Sequence, residues 1–284
     1  MIVNPVAGKR LGRQIADEAV IRLKASGIPV KTFYSSNPGE TLSIAQSLNQ
    51  KDWAGVIAVG GDGTLFEVLN GLHTGDAGIT IPVGQIPSGS GNSYLRDLAI
   101  FSIDDAVKSI IANSHRQVDL GFFTCDTGNF RFINLLGAGF VSNVARRAVK
   151  YKVFGPKSYV FGVIEEVLCL NPISIRLMVD DDIIERNALF VEICNSRYTG
   201  GDMLMAPSAR IDDGLLDVIV MNAASRLRAL QLLPKIFSGA HVHAPEIEVF
   251  SGRRIKLESE HPMALTPDGE IFGHTPLEAS IEKK

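Results

Sequence analysis

The stretch Val59-Gly60-Gly61-Asp62-Gly63-Thr64 constrains this chain more than any other. It follows an apolar run, Gly55 to Val59, of the kind a strand buried on both faces of a parallel sheet requires, and it opens a helical pattern over Leu65 to Leu72. Strand, glycine turn and helix in that order give a backbone that takes positive φ, admits a ligand closely and aims amide N–H groups outward at a helix N-terminus. That is a cradle for phosphate. A carboxylate at its centre repels phosphate unless a divalent cation or a donor stands between them, so Asp62 predicts a nucleotide site with Mg²⁺. The competing reading is a plain turn with Asp62 as an Asx-type cap. The strand-to-helix context favours the nucleotide.

A chain of 284 residues is long for a single core, and two domains are expected. Its 45% hydrophobic and 21% charged content, with 27 glycines, describes a globular, loop-rich protein. A net charge of −3 excludes broad nucleic-acid binding, which needs a marked basic excess. Cys125, Cys169 and Cys194 are odd in number, widely spaced and set in apolar surroundings, which fits a reducing cytoplasm better than a disulfide framework. No apolar run reaches transmembrane length and no signal peptide is evident, so membrane contact is expected to be peripheral.

Taken in order, Met1-Ile2-Val3 is a very short strand, which reads either as a ragged edge or as a chain whose native start lies upstream. Asn4-Pro5-Val6-Ala7-Gly8-Lys9 forms the loop behind it. Ile15, Ala19, Val20 and Leu23 mark a helix closed by Gly27. Pro29 to Tyr34 reads as a strand, Glu40 to Leu48 as a helix and Gly55 to Val59 as the third strand. Ile81 to Ile86 is another strand, running into Pro87-Ser88-Gly89-Ser90-Gly91-Asn92-Ser93. Three glycine-bearing turns at strand carboxyl ends predict one ligand crevice in an open α/β sheet. Ser102 caps a further helix, with Asp105 three residues on and Ala106, Ile110 and Ile111 buried.

Beyond Gln117 strands dominate: Val118 to Thr124, Phe130 to Leu136, Ile173 to Val179, Ala188 to Cys194, Leu215 to Met221, Glu246 to Phe250, Arg254 to Leu257 and Leu277 to Ile281. Alternation in Ile173 to Val179, followed by Asp180-Asp181-Asp182, is antiparallel texture. Helices are expected around Pro156 to Leu170 and Ser225 to Phe237, the latter ended or kinked by Pro234. The fold class is therefore α/β, a Rossmann-like nucleotide domain over 1–118 followed by a β-rich domain over 119–284.

At this point the motifs resemble a known family. Asn4-Pro5-x-x-Gly8, Gly60-Gly61-Asp62-Gly63-Thr64 with Glu67 to Leu72, Pro87-x-Gly89-Ser90-Gly91-Asn92, Asp213-Gly214-Leu215-Leu216-Asp217 and Asp268-Gly269-Glu270 follow one another as in the diacylglycerol kinase and sphingosine kinase family. The resemblance implies an ATP-binding N-terminal domain and a β-sandwich-like lipid-holding domain. It also implies Mg²⁺-dependent transfer of the γ-phosphate to a lipid hydroxyl in the cleft between the domains. Residue by residue it assigns nucleotide contacts to Asn4, Pro5, Val6, Ala7 and Gly8, to Gly60 through Leu65 and Phe66, to Ser90, and near Ser36 or Ser35; on their own chemistry the amides of Ser88, Gly89 and Asn92, with Lys9 as a candidate point charge, join the same phosphate cradle. It makes Glu270 the base and gives Arg210, Asp213 and Leu215 a second metal site. Gly89-Ser90-Gly91-Asn92-Ser93 is more similar to the sphingosine and ceramide branch, and Phe66 stands where bacterial members commonly carry Asn, so the lipid class stays open.

The residue chemistry agrees with that assignment. Phosphoryl transfer asks a protein to position groups and neutralise charge, which backbone amides and a metal held by Asp62 supply. Lys9 is either a phosphate contact or solvated. In Pro267-Asp268-Gly269-Glu270 the turn splays two carboxylates, Asp268 toward backbone or metal and Glu270 toward a substrate hydroxyl; a solvated hairpin turn is the alternative. Asp212-Asp213-Gly214 is either a hard-cation loop or a turn between strands. Arg146, Arg147, Lys150, Lys152 and Lys157, among Tyr151, Phe154, Tyr159 and Phe161, read as a membrane-facing patch or a solvated helix face. His241 and His243 lack acidic or cysteine partners at ligand spacing. The competing functions are an NAD kinase-like enzyme, whose later Pro-Thr-Gly-Ser-Thr-Ala-Tyr-like segment is missing here, and an inactive lipid-binding module. The sequence leaves the oligomeric state unread.

Overall fold

The computed structural model describes residues 1–73, 78–89, 91–139 and 171–282. The chain forms two compact units, Met1–Gln117 and Val118–Lys284.

The first unit is an open sheet of four parallel strands, β1 (Ile2–Val3), β2 (Phe33–Tyr34), β3 (Val56–Gly60) and β4 (Val83–Pro87), in the order β2-β1-β3-β4. That order reverses between β1 and β3, the switch point at which a doubly wound sheet opens a crevice at its carboxyl edge. The strand β1 is interior, flanked on both sides, so the ragged-edge reading of Met1-Ile2-Val3 is wrong. Besides a distorted helical turn at Ala7–Arg10, whose Gly8 and Lys9 take non-helical angles, the α-helices among the described residues of this unit are α1 (Gly12–Ala25), α2 (Glu40–Ser47), α3 (Asp62–Leu72), α4 (Ser93–Asp97) and α5 (Ile103–Ile111).

Their ends are set locally. In α1, Ala16, Ala19 and Leu23 recur on the buried face, and Gly27 at φ 80° ends the helix as Ile28 N donates to Leu23 O at 3.0 Å. At α5 the Ser102 hydroxyl accepts from Asp105 N at 3.1 Å while the Asp105 carboxylate accepts from Phe101 N. The buried stripe of α5 is Ala106 and Val107; Ile111, expected inside, is exposed in the last turn. These helices close on Val3, Val59 and Ile86 to make one core.

The second unit is antiparallel throughout. Its strands are β5 (Leu120–Cys125), β6 (Gly128–Phe132), β7 (Leu135–Gly139), β8 (Ile173–Val179), β9 (Asp182–Cys194), β10 (Tyr198–Thr199), β11 (Met203–Leu204), β12 (Leu216–Asn222), β13 (Ile247–Gly252), β14 (Arg254–Ser259), β15 (Leu265–Pro267) and β16 (Leu277–Glu282). A main path runs β13-β12-β9-β8-β14-β16-β5-β6, with β7 leaving it to pair both β9 and β15. The long β9 connects the layers: its first half pairs β8, as in Leu177↔Ile184, and its second half pairs β7, as in Ala138↔Val191.

Alternation along β9 feeds two cores. Val191 and Ile193 join Phe132, Leu177 and Leu257. Phe190 and Cys194 join Met203, Met205, Ile219 and Leu232 on the other face. The helix α6 (Arg226–Ile236), capped by Ser225, covers that second core with Leu232 and Ile236. Of the two outcomes expected at Pro234, an end or a kink, the end does not occur there: Pro234 lies inside α6, which continues to Ile236. The single strand expected over Phe130 to Leu136 is two, broken at Ile133-Asn134. The helix expected over Pro156 to Leu170, the basic aromatic stretch from Arg146 to Phe161, Cys169 and Ser90 lie outside the described residues.

Candidate active site

Three turns meet at the carboxyl edge of the parallel sheet. Behind β1, Asn4 N donates to Val59 O at 3.0 Å, which ties the first turn to β3, and the Asn4 side chain accepts from Val6 N at 3.2 Å. Gly8, Lys9 and Arg10 then take left-handed angles in succession, with φ of 58°, 62° and 70°. Successive N–H groups turned this way form the concave surface that suits an anion. Pro5, Ala7 and Gly8 are half-buried there, while Val6 and Lys9 are exposed.

The turns touch through their glycines. A Cβ on Gly8 would fall 1.7 Å from the Ser88 carbonyl oxygen, and one on Gly89 would fall 2.6 Å from the Gly61 Cα. No side chain fits at either position without moving backbone, so the first and third turns can reach this spacing only as glycine. Ser88 N also donates to Gly60 O at 3.3 Å.

Between them, Asp62 opens α3, with Gly61 O accepting from Thr64 N and Leu65 N. The leading amides of α3, at Asp62 and Gly63, have no partner within the helix. The Asp62 carboxylate accepts from Ser93 N, the first residue of α4, at 3.0 Å through Oδ2. Its Oδ1 is buried with no hydrogen-bond partner, as are Ser88 Oγ and Asn92 Oδ1. Burial raises the Asp62 carboxyl above the usual carboxylate range, and the Ser93 and Tyr94 amides oppose that rise. A buried carboxylate oxygen without a partner, with two neutral oxygens of the third turn likewise unpartnered, is the kind of donor a hard cation takes, so the residues present fit Mg²⁺. Thr64, Leu65 and Phe66, expected at the nucleotide, are buried within α3, and the Thr64 side chain packs against the turn, where a Cβ on Gly60 would fall 2.1 Å from its hydroxyl oxygen. Ser36 is exposed just beyond β2, its amide bonded to the Glu40 carboxylate, and Ser35 is buried with its hydroxyl on Val3 O.

In the second unit, Pro267-Asp268-Gly269-Glu270 is a tight turn closed by Glu270 N on Pro267 O at 2.9 Å, with φ of 47° at Asp268 and 88° at Gly269. Two positive φ angles match a type I′ turn, whose twist suits a hairpin. The two carboxylates part company. Asp268 is buried and accepts three backbone amides, Ile133 N at 3.0 Å, Asn134 N at 2.8 Å and Leu135 N at 3.2 Å. Those amides are the break between β6 and β7. Glu270 stands exposed at the end of the same turn.

Of the residues expected at a second cation, Asp213 is exposed and its Oδ1 accepts from Leu215 N at 3.1 Å, an Asx-type turn. Arg210 points outward, 3.8 Å from the Asp212 carboxylate. Sequence reasoning missed Asp119, a buried carboxylate that takes Gly214 N at 2.6 Å and so fixes this turn from β5's entrance. It also missed Ser93, whose amide holds Asp62. Asp119 carries no motif, Ser93 reads only as the end of the third turn, and both act through tertiary contact. Among the described residues no group of three or more His, Cys, Asp or Glu side chains gathers as a metal site, and no helix is long and apolar enough to cross a membrane.

Comparison with known proteins gives these turns a context. Residues 1–123 match the family described as the diacylglycerol kinase catalytic domain, and residues 134–283 match the YegS C-terminal NAD kinase beta sandwich-like domain. A diacylglycerol kinase of Mycobacterium tuberculosis (strain ATCC 25618 / H37Rv) is 29% identical over 284 residues, covering 98% of this chain and 90% of the relative. One from Bacillus subtilis (strain 168) is 25% identical, covering 98% and 91%. The crystal structure of a candidate diacylglycerol kinase from Bacillus anthracis str. Sterne superposes with a TM-score of 0.81 at 26% identity, covering 99% of this chain and 93% of that one. With a catalytic-domain match ahead of a β-sandwich-like match and full-length relatives of one name, the chain belongs to the diacylglycerol kinase and sphingosine kinase family, phosphotransferases with an alcohol group as acceptor.

Proposed function

We propose that the protein is a lipid kinase that transfers the γ-phosphate of ATP to the hydroxyl of a diacylglycerol, a sphingoid base or a related lipid. The observation that carries this reading is the convergence of three glycine turns on a buried carboxylate with an unpartnered oxygen at a sheet switch point. The amides of Asn4–Lys9, Gly60–Thr64 and Ser88–Asn92 receive the phosphates of the nucleotide. Asp62 and its orphaned neighbours would hold Mg²⁺, which neutralises charge on the phosphate oxygens when bound.

Glu270 takes the acceptor proton. Its backbone follows a turn held by two positive φ angles and by the buried Asp268, which fixes where the exposed Glu270 side chain starts. Asp268, with its oxygens committed to three amides, is a positioning residue in this scheme, acting through the turn. Asp213 and the turn around it form the candidate second cation site, acting on the stability of the unit.

The test is incubation with labelled ATP, Mg²⁺ and a panel of diacylglycerol, sphingoid base, ceramide and NAD. One labelled lipid product supports the reading and names the acceptor. Labelled NAD in place of a lipid product would move the protein to NAD kinase-like chemistry.

A further inference from the structure

We propose that the outward face of α6 is the surface by which the protein docks on an anionic lipid bilayer. The inner side of the helix is accounted for, with Leu232 and Ile236 in the second core. The outer side is not. Leu227 is 67% exposed, Leu230 41% and Phe237 57%, three of the chain's large exposed apolar side chains within one helix and its cap. At about 100° per residue, Leu227, Leu230, Pro234 and Phe237 fall in one stripe along the helix.

Charge is arranged around that stripe. Arg226 and Lys235 are exposed beside it, and neither forms a salt bridge among the described residues; Arg228, turned inward, is paired with Glu246 at 2.8 Å. From Ala223 to Pro245 the sequence contains no aspartate or glutamate, in a chain whose net charge is −3. An apolar stripe of leucine and phenylalanine flanked by cations, with Glu246 as the neighbouring acid and already paired to Arg228, is the composition of a helix that lies in a negatively charged headgroup layer.

The size of the stripe decides against a protein partner. A stable protein–protein interface buries about 1,600 Å² in total, which a few side chains on one helix do not supply. Shallow insertion into a bilayer needs only those side chains and two cations. The proposal rests on the lipid-acceptor reading for its purpose, since an enzyme whose substrate is confined to a bilayer must meet that surface. Its physical content is separate.

The test is co-sedimentation, without nucleotide, with phosphatidylcholine vesicles containing or lacking phosphatidylglycerol. Wild-type protein should partition onto the anionic vesicles and release as salt rises. Leu227→Gln with Phe237→Gln should lower partitioning about tenfold. Arg226→Gln with Lys235→Gln should lower it about fivefold per charge and flatten the salt response. In both variants the unfolding midpoint and the turnover of a short-chain, water-dispersed lipid should match wild type. Equal partitioning of wild type and both double variants would overturn the proposal, as would no vesicle binding by wild type. So would a wild-type dimer that Leu227→Gln with Phe237→Gln dissociates, because a second copy would then be what covers the stripe. Loss of short-chain turnover in wild type would count against the kinase reading and leave the vesicle result standing.

Discussion

Replacing Asp268 separates a brace from a catalyst. Its two oxygens take three amides at 2.8 to 3.2 Å inside a buried site. A hydrogen bond to a charged group contributes about 1.5–3 kcal/mol, and a buried amide left unpaired carries its own desolvation cost. In Asp268→Asn one oxygen becomes an NH₂ donor, which leaves one amide facing a donor and costs about 2 kcal/mol. In Asp268→Ala all three amides lose their partner, and the cost is on the order of 5 kcal/mol, comparable to the whole stability of many domains. The Ala variant also inherits a φ of 47°, a left-handed angle that aspartate tolerates and alanine does not.

The assay must look at the right unit. Trp53, the single tryptophan, lies in the first unit, so it is no local probe of Asp268. Hydrogen exchange of peptides covering 130–139 is the direct measurement, since the Ile133, Asn134 and Leu135 amides are the ones released. A loss of about 2 kcal/mol corresponds to roughly 30-fold faster exchange. Turnover should fall in step with this loosening, and Asp268→Asn should keep more of both than Asp268→Ala. If Asp268→Asn kept wild-type protection at those amides yet lost turnover completely, Asp268 would act at the chemistry and the brace argument would fail.

The other predictions concern three carboxyls. Glu270→Gln should lower turnover on the order of 10² to 10⁴-fold with nucleotide affinity nearly unchanged, measured by single-turnover transfer; wild-type transfer would remove Glu270 as base. Asp62→Asn should abolish most turnover without loss of stability at neutral pH. Burial raises the folded-state pKa of Asp62, so the wild type loses stability as pH rises from the unfolded value of 3.8 toward the folded one; a variant melting well below wild type at pH 7 would contradict this. Glu192, fully buried in β9 with both carboxyl oxygens unpartnered, is pushed by burial up to about 8. Its folded-state pKa exceeds the unfolded value, so wild-type stability should fall relative to Glu192→Gln by about 1.4 kcal/mol per pH unit between 4.5 and about 8, and level off above. Parallel stability curves for the two proteins across that window, from chemical denaturation, would refute it.

The nucleotide side was legible because its signals are local. A strand, a glycine turn and a helix occupy adjacent residues at Val56–Leu72, and the Ser102–Asp105 cap and the Asp180-Asp181 hairpin turn are equally short-range. What was not legible depends on distant partners. The polar first half of β9, Asp182–Asn187, carries little strand pattern and is a strand because β8 pairs with it. Phe130 to Leu136 reads as one run, and it breaks because a carboxylate 134 residues away in sequence captures Asn134 N. Pro29 to Tyr34 promised a longer strand than Phe33–Tyr34, since β1 offers only two residues to pair with. Glu192 hides inside the apolar run Leu189–Cys194, where nothing local distinguishes a buried acid from a solvated one.

The pairing of β16 with β5 also bears on how the protein is made. The register joins Leu120 to Glu282 and Thr124 to Glu278, so a strand at the entrance of the second unit is completed by one synthesised far later. The parallel sheet of the first unit draws all its strands from Ile2 to Pro87 and can close while translation continues. On the ribosome β5 and β6 have only each other until β16 emerges, and through that interval β5 presents an open edge carrying Phe122 and Phe123. Chaperone occupancy during synthesis should therefore concentrate on the stretch after Val118, with the parallel sheet already folded behind it.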